Sequence, residues 1–464
     1  MKTMETELTT ICTQMEIFLK NNNMTLNQFS ELTQINTGTL SGIINGHRPI
    51  AMQQLDRITA GMGLAEGYFY ERYIDECFYH ASPDWRRIGP FLLRCTDLNK
   101  LDCIKRVIRL MMDNLSYIPL LFSLAEQFYQ EGKWEAAVIL YKSVAESEQK
   151  QHSERLALCQ YRLFTLGLSK DQNRNLLLAS HFEYFVDRLE EQYQLDALNE
   201  LINVFASLRR WEKIEILAEK LKIIAMIHYE SNGRNKPPEM KKQIIFYILY
   251  AYLILGETHF QLGRYEGALH YVSLYTDCDW VKDPDNNDMA VIHQFQEWAE
   301  GNRYLYQLMS GKVEVLPEYV KYISTRENEV FLALGEIVIA ANKFDINIDF
   351  LLEQYESFLK HQEQQSRIGK ISLHYTDDRF VSLLSGLGVY YLNKNNFDQG
   401  LRYILDSLAF AIEIRTGHDI LKCIGLFEQY RDFANEDVKS RYKTLISEVQ
   451  KLNEKEISFI SSAM

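Results

Sequence analysis

The side chains best placed to do chemistry in this 464-residue chain are hydrogen-bonding groups, spaced for recognition and not for bond-making. Thr25, Asn36, Thr37, Ser41, His47 and Arg48 fall close together near the amino terminus. They offer hydroxyl, carboxamide, imidazole and guanidinium groups, the kinds that contact phosphate oxygens and base edges. Gly38 lies among them, and a glycine there removes a side chain that would otherwise read a base. A second set is amide-rich. Asn199 and Asn203 are one helical turn apart, and a carboxamide pairs with both the N–H and the C=O of an extended main chain. Signatures of catalysis are missing: no H-E-x-x-H, G-x-x-x-x-G-K or G-x-S-x-G occurs, and the 11 histidines are scattered without metal-ligand spacing. Gly61-Met-Gly-Leu-Ala-Glu-Gly67 has a last gap one residue too long for a dinucleotide loop and reads as a helix terminus. No catalytic residue, metal site or cofactor is expected, and the chain does not read as an enzyme.

Two helices over residues 25–49 must position the first set. Thr25 is a good N-cap, Leu26, Phe29 and Leu32 give one helix an apolar face, and the small Ser30 stands where a second helix passes close. Ile35 anchors the turn. Asn36 caps the second helix, with Leu40, Ile43 and Ile44 inward and Thr37, Gly38, Ser41 and Gly42 outward, on the face a major groove would receive. Asn45-Gly46 ends it, since glycine takes the left-handed conformation cheaply. Leu8, Ile11, Met15, Phe18 and Leu19 predict a helix before this pair, and Leu55, Ile58 and Met62 one after it, closed by residues 63–69. This order resembles the Xre/Cro/phage-repressor helix-turn-helix over residues 1–70. The resemblance implies binding of a double-stranded DNA operator through Thr25, Asn36, Thr37, Gly38 and Ser41, with His47 and Arg48 beside phosphates. Gln34 departs from the family, which often has a turn glycine there, and Gly38 and Gly42 stand where it often has long polar side chains.

Charge does little to help such binding. The chain carries a formal net charge of -13, and residues 1–70 hold only Lys2, Lys20, Arg48 and Arg57 against six acids. One copy should bind weakly, so a homodimer presenting two heads is expected, joined near Leu387 to Ile414 at the exposed end of the repeats described below. Hydrophobic residues make up 47% of the chain and only eight prolines interrupt it, so the long stretches of helical apolar spacing predict an all-α protein. No apolar run approaches the ~20 residues of a membrane span and no signal pattern opens the chain, which predicts a cytoplasmic protein without membrane contact. Cys12, Cys77, Cys95, Cys103, Cys159, Cys278 and Cys423 form no C-x-x-C pair and read as reduced thiols.

From about residue 115 the chain repeats itself. Leu124-Ala125, Phe128, Gly132, Trp134, Ala137 and Tyr141 match in spacing Leu255-Gly256, His259, Gly263, Tyr265, Ala268 and Val272, and again Leu387-Gly388, Tyr391, Asn395, Phe397, Gly400 and Ile404. A weaker copy is Ile202, Phe205, Arg209, Trp211, Ile214 and Ala218. These are the spacings of tetratricopeptide repeats, whose stacked helix pairs make a right-handed superhelix with a concave wall for peptides. Intervals between copies vary, with insertions such as the polar stretch Ser231 to Pro238. Aligning Trp211 with Trp134 puts Asn199 and Asn203 on that wall, and the same alignment adds Glu126, Glu257 and Gln261.

A helix-turn-helix head followed by degenerate repeats resembles the RRNPP family of peptide-pheromone receptors across the whole chain. The resemblance implies a homodimeric quorum-sensing transcription regulator whose short signalling peptide binds in the repeat groove. The expected organisation is a DNA-binding head at 1–70, a linker helix region at 71–114, and a peptide-binding and dimerisation domain at 115–464. Two other readings stand beside it. One is a Rap-like response-regulator phosphatase or modulator, which carries a helical bundle in place of the head; the other is a repeat scaffold that binds a protein and never DNA.

Overall fold

The proline-poor stretches are helical, as their apolar spacing predicts, and no strand occurs among the described residues. The computed structural model describes residues 10–76, 84–112, 114–149, 153–169, 171–232, 235–238, 240–359 and 373–462. Leu8 and Cys77 lie outside them, as does part of the polar stretch at 231–238. The chain divides into two compact units, Met1–Leu168 with Ser180–Glu190, and Ser169–Ala179 with Glu191–Met464. The boundaries at 70 and 114 expected from the sequence both fall inside the first unit.

The first unit begins with α1 Ile11–Asn21, α2 Leu26–Thr33, α3 Thr37–Ile44 and α4 Met52–Gly61. Thr25 caps α2 in a reciprocal box with Gln28, and Asn36 caps α3. Leu40 and Ile43 are buried, Ile44 is half-buried, and Gly46 sits at φ 70° after α3. The expected apolar face of α2 needs one correction: Leu32 is 56% exposed, and Thr33 is buried in its place. Phe29 fixes the inward direction of the helix, and the residue one turn on is Thr33. There α4 comes so near that a Cβ on Gly61 would lie 2.6 Å from Thr33 Cγ2. Ser30 donates to the Ile35 carbonyl at 2.6 Å, tying the turn. Gln34 takes the left-handed conformation a turn glycine would have taken, at φ 55°, and Arg57 donates to its carbonyl at 3.1 Å.

The head is not tethered loosely. Helices α5 Tyr70–Ile74, α6 Trp85–Asp97 and α7 Leu101–Met111 share one hydrophobic core with it, running from Ile11 to Cys159. Arg94 of α6 pairs with Asp56 of α4 at 2.9 Å, Tyr70 donates to the same carboxylate at 2.8 Å, and Tyr73 donates to the Ile50 carbonyl at 2.7 Å. The unit continues through α8 Ile118–Gln130, α9 Trp134–Ser147 and α10 Glu154–Gly167, and α11 Gln172–Phe182 is divided between the units.

The second unit holds α12 Glu191–Ser207, α13 Trp211–Asn232, α14 Ile244–Gln261, α15 Tyr265–Thr276, α16 Asn286–Met309, α17 Leu316–Ser324, α18 Glu327–Phe344 and α19 Asp349–Gln354. It ends with α20 Leu373–Asn393, α21 Phe397–Ile414, α22 Gly417–Gln429 and α23 Glu436–Ser462. Each of the four sequence copies is a helical hairpin with a three-residue turn: α8/α9, α12/α13, α14/α15 and α20/α21. The turns are alike in detail. Gly132, Arg209, Gly263 and Asn395 all have positive φ, of 75°, 53°, 72° and 60°. In each, the next residue's N–H reaches back to the carbonyl of the copy's conserved-spacing position, Phe128, Phe205, His259 or Tyr391, at 2.8 to 3.0 Å. The α6/α7 hairpin has the same turn, with Asn99 at φ 52° and Lys100 N–H on the Cys95 carbonyl at 2.7 Å. The small positions do bring helices together, for a Cβ on Gly388 would lie 3.1 Å from the Gly400 carbonyl, and one on Gly400 3.0 Å from that of Gly388.

Two further sequence expectations change. Helix α14 is long and apolar enough, by length and composition, to cross a membrane, whereas no such run was expected. In this fold it is packed between α13 and α15 with Ile245, Tyr247, Leu249, Ala251 and Leu255 buried. The expected seam at 387–414 is covered within the chain: Leu401, Ile404, Leu405 and Leu408 are fully buried in a core completed by Cys423, Phe427, Val438 and Tyr442 of α22 and α23.

Candidate functional site

At the amino-terminal site, local structure decides what each side chain has left to offer. Thr25 accepts from Gln28 N–H at 3.3 Å, and Asn36 Oδ1 accepts from Gly38 N–H at 2.8 Å, so both serve first as helix caps while remaining exposed. Thr37 and Ser41 are half-buried on α3. Thr37 Oγ1 donates to Asn27 Oδ1 at 3.2 Å, and Ser41 Oγ receives Asn45 Nδ2 at 3.3 Å. Gly38 and His47 are exposed. Gly42 has a structural cause: its carbonyl receives the N–H groups of His47 and Arg48, each at 2.9 Å, and a Cβ on it would touch Arg48 Cβ at 3.4 Å. The returning chain lays the Arg48 guanidinium along α3, where it donates to Thr39 Oγ1 at 3.2 Å. Asn27 and Thr39 therefore belong to this face, although the sequence pattern did not single them out.

The second set is divided between the two units. Glu126 lies in the first unit and is occupied: Arg162 binds it through Nε at 3.1 Å and a terminal nitrogen at 2.9 Å, and the Tyr141 hydroxyl donates to it. Arg162 also stacks over Tyr129 at 4.2 Å, and burial together with the Glu126 charge holds the Tyr141 hydroxyl far above its ordinary pKa. A buried pair this well satisfied offers little to an external amine, because breaking it would strand a charge.

Asn199, Asn203, Glu257 and Gln261 lie in the second unit. Asn203 accepts from the Tyr250 hydroxyl at 2.7 Å through Oδ1. Asn199 is 4% exposed, and its Oδ1 has no hydrogen-bond partner. One turn earlier, Asp196 receives the Tyr247 hydroxyl and Lys241 N–H, so the polar row along α12 is satisfied except at Asn199. Glu257 is bridged to Gln261 at 2.9 Å and to the Tyr306 hydroxyl at 3.2 Å. It also faces Glu336 of α18. Burial, opposed by Arg379 and reinforced by the Glu257 charge, raises the Glu336 carboxyl to about 7. Among the described residues no cluster of three or more His, Cys, Asp or Glu side chains is arranged to hold a metal ion.

Compared with known proteins, the chain matches no family model, and no curated protein is detectably similar to it. Its functional reading rests on its own residues.

Proposed function

We propose that the chain is a DNA-binding transcription regulator controlled by a short signalling peptide, built as a helix-turn-helix head followed by tetratricopeptide-like repeats. The observation that carries this reading is the α2–α3 pair. A three-residue turn joins two short helices, Phe29 of α2 and Leu40 and Ile43 of α3 are packed inward, and α3 keeps a small, polar, partly exposed surface of Thr37, Gly38 and Ser41 flanked by His47 and Arg48. Such a surface, low in side-chain bulk and bordered by a cation, suits insertion into a major groove. In this reading the head acts as a dimer, because few cations are available in each copy.

The repeats supply the control. The recurring hairpin turn supports the tetratricopeptide likeness, and the buried acceptor of Asn199 supports a main-chain ligand, since an orphaned buried polar group costs about 1–3 kcal/mol that a peptide N–H would recover. Glu257, held by Gln261 and the Tyr306 hydroxyl, is the carboxylate proposed to meet a free amino terminus or a basic residue of the peptide. Because the head shares a core with α5 to α7, a peptide-driven shift of that region moves the head as a body and changes the separation of the two heads in the dimer.

The test is fluorescence anisotropy with duplexes tiling the region upstream of the protein's own gene. Thr37→Ala with Ser41→Ala is expected to weaken the best duplex by about tenfold or more, the loss of one to two good contacts. Melting of the variant should stay near wild type. Unchanged affinity in the double variant would remove α3 as the reading element.

A further inference from the structure

We propose that Arg86 and Arg87, in the first turn of α6, form a second anchoring point for the DNA phosphate backbone, beyond the α3 surface; this rests on the DNA-binding reading above. Three contacts fix how α6 lies along the head. At its far end, Leu98 and Lys100 flank Gly67, past the carboxyl end of α4, where an added Cβ would lie 3.2 and 3.0 Å from their side chains. Arg94 meets Asp56 in the middle of α4 at 2.9 Å. Phe91 lies 5.5 Å from the ring of Tyr73, whose hydroxyl bonds the Ile50 carbonyl just before α4 begins. Followed backwards, α6 therefore travels along α4 towards residues 47–50. Its first turn lies about 7 Å further on at 1.5 Å per residue. In this proposal Arg86 and Arg87 continue that direction towards the end of the first unit that carries His47 and Arg48.

Arg94, Lys105 and Arg106 are each held by a carboxylate, at 2.9, 2.9 and 2.6 Å. The guanidinium groups of Arg86 and Arg87 have neither an ion pair nor a hydrogen bond among the described residues; Arg86 is exposed and Arg87 half-buried. Asp84 beside them is engaged as the cap of α6, accepting from Arg86 N–H at 3.0 Å. The ring of Trp85 packs 3.5 Å from the Cβ position of Gly89, which orients this turn. In a chain of net charge -13, adjacent unpaired guanidiniums beside a candidate DNA face are best explained by an anion that arrives from outside.

The experiment measures salt dependence with the full chain and a mixed-sequence duplex several turns long, between about 50 and 200 mM salt. Each phosphate contact contributes about 0.9 to the slope of log affinity against log salt, so Arg86→Gln with Arg87→Gln should lower the slope by about 1 to 2. Arg86→Lys with Arg87→Lys should restore it, since charge and not fork geometry sets that slope. If the double glutamine variant loses its melting transition, the exposed Arg86→Gln alone should lower the slope by about 1. An unchanged slope, with duplex binding retained, overturns this assignment and leaves the α3 reading standing. Wild-type protein that fails to bind the duplex at the lowest salt overturns both.

Discussion

Glu336 shows how one side chain's surroundings become a property of the whole protein. Its carboxyl is held at about 7, first by burial and then by Glu257, against the pull of Arg379. In the unfolded chain a glutamate titrates near 4.3. Between about 4.3 and about 7 the fold keeps a proton that the unfolded chain has released, so stability falls as pH rises through that window and the loss is complete above it. Glu336→Gln should flatten this slope and make the protein more stable than wild type at pH 8, read from urea midpoints across the pH range. Parallel curves for the two proteins would show that Glu336 is an ordinary carboxylate. Nothing in the sequence around Glu336 announces this. Its neighbours in the fold come from α14 and α20, and the sequence pattern selected Glu257 without its partner. Asn199 was legible as a polar residue on α12, but its unpaired, buried oxygen was not.

At the scale of elements, the recurring hairpin turn makes the clearest claim. Gly263 holds a left-handed conformation at φ 72° with nothing near its Cβ position, so an alanine there meets backbone strain and no clash. Gly263→Ala should destabilise the protein by about 1–2 kcal/mol. Asn395→Gly, at φ 60° in the equivalent turn, should be neutral or stabilising by up to about 1 kcal/mol. Urea denaturation of the full chain measures both, and an alanine at 263 without effect would mean that the shared turn is not strained. The copies with Gly132 and Gly263 were readable because glycine advertises positive φ. The α6/α7 hairpin was not, since Asn99 sits in its turn and Cys95 and Ile104 stand where aromatic and small residues mark the other copies. Leu32 was misplaced because three-residue and four-residue spacings are equally helical, and only the approach of α4 at Gly61 selects Thr33.

At the scale of the molecule, the continuity of the first core matters most. A head joined to α5, α6 and α7 through Asp56, Arg94 and Tyr70 cannot swing freely on a linker. Control of DNA binding would then act through the geometry of an assembly, which requires two copies. Light scattering of the full chain at micromolar concentration should give twice its 54.5 kDa mass. A clean monomer would argue against paired heads. The apolar side of α21 is covered by α22 and α23 and most of that of α20 packs against α18, so a dimer seam at 387–414 would have to use the outer faces of these helices.

Local interactions were enough to determine the helical class, the caps at Thr25 and Asn36, the ends at Gly46 and Gly132, and the hairpin copies, because all of these depend on residues within about one or two helical turns. Tertiary structure decided which polar groups are left available. Glu126 is claimed by Arg162, 36 residues away, Asn203 by Tyr250, 47 away, and Asp56 by Arg94, 38 away. Side-chain type states what a group can bond; only the packing of distant helices states what it already bonds. Among the described residues the same packing leaves Asn199 Oδ1 and the guanidinium groups of Arg86 and Arg87 without a hydrogen-bond partner.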